Sequence, residues 1–182
     1  MSAPRDRMRA ACAADRAANA AYPKSRLVLA WFRRCQRWRE TPGRLGRALF
    51  LVYAVPYRLV TEGFLGIELP TSTSVGPGLR LRHGIGIVVN PHTVIGSGVM
   101  LRHGVTLGNR RERDDCPVIE ADVEIGVGAV IIGAITVGRG ARIGPNAVVV
   151  RDVPPGATVL SPGADILSPG RRRASRQMGI SA

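Results

Sequence analysis

The chain has 182 residues, enough for one domain or one domain with a small appendage, and only 4% of them are aromatic. Its net charge of +13 is uneven: residues 1–66 hold thirteen Lys/Arg against four Asp/Glu, residues 67–170 nine against nine, and the stretch from Arg171 four Arg and no acid. No recognised motif or interleaved aromatic platform accompanies that charge, which argues against a nucleic-acid partner. Cys12, Cys35 and Cys116 are too scattered for a disulfide frame or a zinc knuckle. With no apolar signal segment near the start, a reducing cytoplasm is the expected compartment.

Met1–Lys24 is rich in Ala, Arg and Asp, with some helical character but little to bury. Ser25–Trp38 reads as an amphipathic helix, with Leu27, Leu29, Trp31, Phe32, Cys35 and Trp38 apolar and Arg33, Arg34 and Arg37 between them. Thr41-Pro42 suits an N-cap and first helical position, and a second helix is expected from about Gly43 to Val55, kinked or stopped by Pro56. The apolar run Ala48–Pro56 is far short of the ~20 residues that span a bilayer. It either packs on the end of the next element or lies in a membrane interface beside Arg44, Arg47 and Arg58.

From Ile67 the pattern changes. Apolar residues recur in steps of six: Val75, Leu81, Ile87, then Ile95, Leu101, Leu107, then Ile119, Ile125, Ile131, Val137, Ile143, Val149. A second register holds Leu79, Ile85, Val99, Val105, Val123, Ala129, Ile135, Ala141 and Ala147. A period of six fits neither a 3.6-residue helix nor an alternating hairpin. It fits short strands that each turn inward residues to a narrow core and then turn a corner: a parallel β-helix. The rhythm has two faults, at Asn90-Pro91-His92 and at Asn109–Pro117. In the second, the next inward place falls on Arg113; an unpaired charge cannot occupy such a core, so the segment is expected to leave as an exposed loop. Pro154-Pro155 is expected to end the rod, with Gly156–Leu167 folding back over the last coil before an Arg-rich tail. The expected organisation is basic amphipathic helices over 1–66, the rod over 67–155 and the remainder over 156–182.

Two of the three histidines hold equivalent places, in Arg82-His83-Gly84 and Arg102-His103-Gly104. If three hexads make a coil, their imidazoles stack on one edge in adjacent coils. Such residues are either solvated edge positions or a site; Glu68, close to one coil before His83, favours the latter. A carboxylate beside an imidazole fixes its tautomer and supports a general base.

The segments VTEGFLGIEL (60–69), LRHGIGIVVN (81–90), LRHGVTLGNR (101–110), CPVIEADVEIGVGAVIIGAITVG (116–138) and AVVVRDVPPGATV (147–159) resemble the serine acetyltransferase branch of the hexapeptide-repeat acyltransferases. They resemble more closely still the acetyltransferases of colanic acid and other exopolysaccharide clusters. The resemblance implies a mainly β fold, a left-handed parallel β-helix of hexapeptide repeats with a short N-terminal α-helical region. The left hand comes from the likeness alone, because parallel crossovers are otherwise nearly always right-handed. It implies acetyl-CoA as donor, with no metal, and transfer to a hydroxyl whose proton is taken by His83, oriented by Glu68. It further implies a homotrimer with sites between subunits. Pantetheine and the nucleotide phosphates would meet Gly108, Asn109, Val127, Gly128, Arg142, Gly144 and Pro145. His103 is a candidate either to bind the acceptor or to support His83; Arg82 and Arg102 are candidates for acceptor binding, holding an acidic sugar, or are solvated edge residues.

Where the serine enzymes have Asp before the histidine, this chain has Arg82; where they have Arg-His before the loop's Pro, it has Asp115-Cys116. Those matched positions grip the amino acid, so the expected acceptor is a sugar or a lipid-linked saccharide of exopolysaccharide biosynthesis, with serine the alternative. Cys116 as a covalent nucleophile lacks an adjacent base. A metal-dependent hydratase would need three His ligands; His83, His92 and His103 can be counted, but without the family's His-x4-His spacing. A non-catalytic β-helix module is argued against by Glu68 and His83.

Overall fold

The computed structural model describes residues 4–163. The segment from Ala164, including the Arg-rich tail, lies outside them. Three helices come first, α1 (Pro4–Ala18), α2 (Pro23–Arg39) and α3 (Gly43–Arg58). Then short strands wind into a left-handed parallel β-helix of about 5 turns. The strands form three sheets, one per flank. The first flank holds β1 (Ile67–Glu68), β4 (Ile87–Val89), β7 (Thr106–Gly108), β10 (Val130–Ile132) and β13 (Val148–Val149). The second holds β2 (Ser74–Val75), β5 (Val94–Ile95), β8 (Val118–Ile119) and β11 (Thr136–Val137). The third holds β3 (Arg80–Arg82), β6 (Met100–Arg102), β9 (Glu124–Ile125), β12 (Arg142–Ile143) and β14 (Thr158–Val159).

The six-residue ladder supplies the core. Leu81, Ile95, Leu101, Leu107, Ile119, Ile125, Ile131 and Val137 are fully buried, and each such side chain contributes roughly 1.5–3 kcal/mol. Val28, Leu29, Phe32, Cys35 and Tyr57 of the helices join the same core cluster.

In one coil the register differs from expectation. Val89, not Ile87, pairs with Leu107, and Val88 with Thr106. The two extra residues therefore sit not at Asn90-Pro91-His92 but between Arg82, which pairs with Arg102, and Val88. Ile85, expected inward, is 58% exposed; Ile87 takes its inward place opposite Val105, and Gly84 is buried within the bulge. A Cβ on Gly84 would come 3.2 Å from the tip of the Ile67 side chain, so the bulge passes tight against the core there. The second fault is the expected loop: Asn109–Asp114 are exposed and the ladder resumes at Val118.

Four further expectations are corrected. Residues 4–18 form a full helix that buries Asp15. Thr41 closes α2, its hydroxyl donating to the Arg37 carbonyl at 2.8 Å, and Pro42 takes the place before α3. Pro56 does not stop α3; the helix runs on to Arg58 and then widens into a π turn, Leu59–Phe64. Nor does Pro154-Pro155 end the rod. Val153 bridges to Val137, the prolines occupy a turn where no ladder N–H is required, and β14 pairs in register with β12.

Candidate active site

The site is built on the corner between the third flank and the first. Because Arg80, Leu81 and Arg82 pair with Met100, Leu101 and Arg102, the residues that follow are also stacked. The His83 and His103 rings lie 6.1 Å apart at 82°. The stacking expected from the 20-residue repeat is present. His83 opens the two-residue bulge and takes a left-handed backbone (φ 56°). For a non-glycine residue that is a strained conformation, held only where the surroundings over-determine it. His83 is exposed and His103 half-buried, and the Nδ1 of His103 is buried without a hydrogen-bond partner among the described residues. A buried ring nitrogen left unpaired marks a place where a further polar group is wanted.

Tyr22, in the turn between α1 and α2, completes the cluster. Its ring stands 5.7 Å from that of His83 at 86°. The Arg82 guanidinium lies over the Tyr22 ring at 4.3 Å and donates to the Ala18 carbonyl at 3.3 Å. Arg82 is thus tied to the helices, whereas Arg102 is exposed and has no such tie among the described residues. Sequence reasoning missed Tyr22 because nothing local in Ala21-Tyr22-Pro23 announces a partner sixty-one residues away.

Glu68 leads the outward row of the first flank, followed by Val88, Thr106, Val130 and Val148. Its carboxylate is exposed and makes no hydrogen bond to His83 in the single chain. The cofactor candidates fall into two groups. Val127-Gly128 and Gly144-Pro145 follow β9 and β12, so they continue the histidine corner in the next coils, about 4.8 Å per step. Gly128 packs its backbone on Gly104, both with positive φ (66° and 70°), and a Cβ on Gly128 would run into the Asn146 side chain, so a side chain is strained at either place. Gly108 and Asn109 lie at the far end of the first flank, where the Asn90 amide donates to Asn109 at 3.1 Å. Arg142 points outward from β12 on the third flank. The loop of residues 109–117 rises at that far end too, its Arg110 and Asp115 beside Gly133. The histidines and the loop thus bound one flank from its two corners.

Cys116 is buried, and its thiol is pushed up from its ordinary pKa by that burial and by Asp115. A raised thiol is a poor nucleophile at neutral pH. Among the described residues no three His, Cys, Asp or Glu side chains gather as a metal site, and His92 sits in the turn at the opposite corner from His83 and His103.

No family model matches the chain. Individual proteins do. A serine acetyltransferase of Bacillus licheniformis is 39% identical over 103 residues, covering 56% of this chain and 48% of that protein. A protein of Escherichia coli K12, provisionally named colanic acid biosynthesis acetyltransferase WcaB, is 34% identical over 131 residues, covering 69% of this chain and 78% of that one. The chain therefore spans about half the length of the Bacillus relative and most of WcaB. Among solved structures, serine acetyltransferase of Neisseria gonorrhoeae in complex with serine superposes with a TM-score of 0.70 at 28% identity, covering 88% of this chain and 69% of that one. The soybean enzyme with serine gives 0.70 and 28% over 89% and 70%. By this likeness in sequence and coil, the chain belongs to the serine acetyltransferase-like hexapeptide-repeat acyltransferases, the family shared with WcaB.

Proposed function

We propose that this chain transfers an acetyl group from acetyl-CoA to a hydroxyl of a sugar or lipid-linked saccharide, with His83 as general base. The observation that carries the reading is the pairing of the His83 ring, on a strained bulge, with the His103 ring, in a chain of this family. The acceptor oxygen attacks the thioester carbonyl while a ring nitrogen of His83 takes its proton. The tetrahedral oxyanion collapses, the carbon–sulfur bond breaks, and the departing thiolate recovers a proton from the imidazolium. Backbone N–H groups of the rod are suited to steady the oxyanion. On the family's pattern Glu68 orients His83, which the Glu68→Gln variant tests. Val127, Gly128, Gly144 and Pro145 would receive the donor along the corner beyond the histidines, with Gly108, Asn109 and Arg142 at its margins. The bare backbone at Gly128 suits the thin pantetheine arm. His103 and Arg102 are assigned to the acceptor.

A homotrimer with sites between subunits fits the first flank, whose outward row includes Val88 and Val148 with Ile85 exposed at its corner. Native mass spectrometry should show three chains. The helices are suited to the inner face of a membrane, in a cytoplasmic protein. No described helix is long and apolar enough to cross one. Yet α3 and the start of the π turn after it present an exposed stripe of Leu45, Ala48, Val52, Val55 and Leu59, flanked by Arg44, Arg47 and Arg58. Flotation with vesicles containing phosphatidylglycerol should carry the protein up, and Val52→Asp with Leu59→Asp should release it.

A second reading, serine as acceptor, is favoured by the relatives named serine acetyltransferase. A CoA-release assay with serine, free hexoses and nucleotide- or lipid-linked sugars decides. Serine turnover without sugar turnover would overturn the first reading.

A further inference from the structure

We infer that Tyr22 is part of the acceptor site and that its ring, held by Arg82, makes that site a sugar-binding one. The inference rests on the reading of His83 as the base that meets the acceptor.

Three observations converge. First, the Tyr22, His83 and His103 rings form one row, each nearly perpendicular to the next, with centroid spacings of 5.7 and 6.1 Å. An acceptor hydroxyl within hydrogen-bond reach of a His83 ring nitrogen therefore places the rest of the acceptor beside Tyr22. Second, Tyr22 is fixed rather than free. Arg82 stacks on one face of its ring and is itself anchored to the last turn of α1, while Pro23 begins α2 directly after it. An aromatic wall with few rotamers open to it loses little entropy when a ligand packs on it. Third, the Tyr22 side chain is only half-buried, and beside it the Nδ1 of His103 is buried with no hydrogen-bond partner among the described residues. The cluster therefore combines an accessible aromatic ring with a polar atom awaiting a partner.

That combination matches one chemical class. A pyranose presents a face of C–H groups and a rim of hydroxyls: the face packs on an aromatic ring, and the rim supplies donors and acceptors. An α-amino acid presents an ammonium, which wants a carboxylate. Its carboxylate in turn wants a free cation, but Arg82 is engaged with the Tyr22 ring and the Ala18 carbonyl, and no carboxylate hydrogen-bonds to either histidine or to Arg82 among the described residues. Arg82 is spent on orienting Tyr22, so its part in recognition is positioning rather than the direct grip on an acidic sugar that its sequence place suggests.

The test uses the full chain, acetyl-CoA and a panel of methyl hexopyranosides, with L-serine alongside, read by CoA release. Tyr22→Leu should raise the KM of the accepted glycoside about tenfold, with kcat changed far less and the KM for acetyl-CoA unmoved. Tyr22→Phe should stay within about threefold of the parent if the ring carries the contact. Arg82→Met should raise the same KM in the same direction, and should add nothing on top of Tyr22→Leu. A merely structural Tyr22 would instead lower kcat and disturb both substrates together with the melting temperature, which overturns the inference. So does a glycoside KM indifferent to Tyr22→Leu, while leaving the sugar reading intact. Turnover of serine with no glycoside accepted overturns both, and the two failures are told apart by which acceptor is used.

Discussion

The last two coils of the rod and the first are built from the same hexads, yet they satisfy their backbones by different means. In the middle and late coils each strand finds its neighbour: Val130 pairs with both Thr106 and Val148, and Arg142 with Glu124 and Thr158. The first coil has no strand before it, and side chains replace one. Asp15 accepts from the N–H groups of Gly78 and Leu79 at 2.8 and 3.1 Å. Asn19 donates to the Leu79 carbonyl and accepts from the Leu81 N–H; Ser25 donates to the Leu81 carbonyl. Arg33 donates to the carbonyls of Val75 and Gly76 and pairs with Asp15 at 2.8 Å. Gln36 donates to the Thr73 carbonyl. The difference teaches that the regular end is a repeat that carries itself, while the irregular end depends on the helices, and it is the irregular end that holds the histidines.

The sharpest way to break that comparison is at its functional end. His83→Ala should lower CoA release by roughly 10²–10⁴-fold with little change in melting temperature, since the side chain is exposed. Next in size is the helix clamp. Asp15→Ala leaves a buried arginine and two strand N–H groups without their partner, and should cost about 3–5 kcal/mol in urea unfolding. By contrast Glu124→Gln, which loosens the half-exposed pair with Arg80 at 3.6 Å, should cost under about 1 kcal/mol. In the regular end, Ile131→Ala should cost about 2–5 kcal/mol, through lost packing alone.

Smaller is a pH effect on the helix side of the core. Burial pushes the Cys35 thiol from 9.0 up to about 11. The folded state therefore keeps a proton that the unfolded chain releases. The stabilisation is full below pH 9 and is lost as pH rises through about 11, so the melting temperature should fall across that window. Cys35→Ala should flatten that slope while lowering the midpoint throughout. A slope unchanged by Cys35→Ala would assign it to another group.

The sequence made some of this legible and hid the rest for identifiable reasons. The 20-residue repeat of Arg-His-Gly was enough to stack His83 on His103, because strand pairing carries equal spacing into space. The position of the two-residue fault was not legible: Ile85, Ile87 and Val89 alternate, and hydrophobicity alone cannot choose which two face the core. Only the close passage of Gly84 against Ile67 decides it. The roles of Asp15, Asn19 and Arg33 were hidden as well, since a buried Asp–Arg pair spanning two helices looks in sequence like ordinary surface charge. The inward threonines Thr73 and Thr93, fully buried, broke the apolar signal at two steps of the ladder.

A coil whose backbone groups are open at one end is a template, and nothing in a repeat tells it where to stop. Asp15, Asn19, Ser25, Arg33 and Gln36 occupy the positions where another rod would dock, each turned to one or two backbone groups of the first coil. The clamp is then also an end stop against filament growth. Loosening it should do more than lower a melting point: a protein with Asp15 and Asn19 both replaced by alanine should begin to stack rod on rod, visible as mass that grows with concentration.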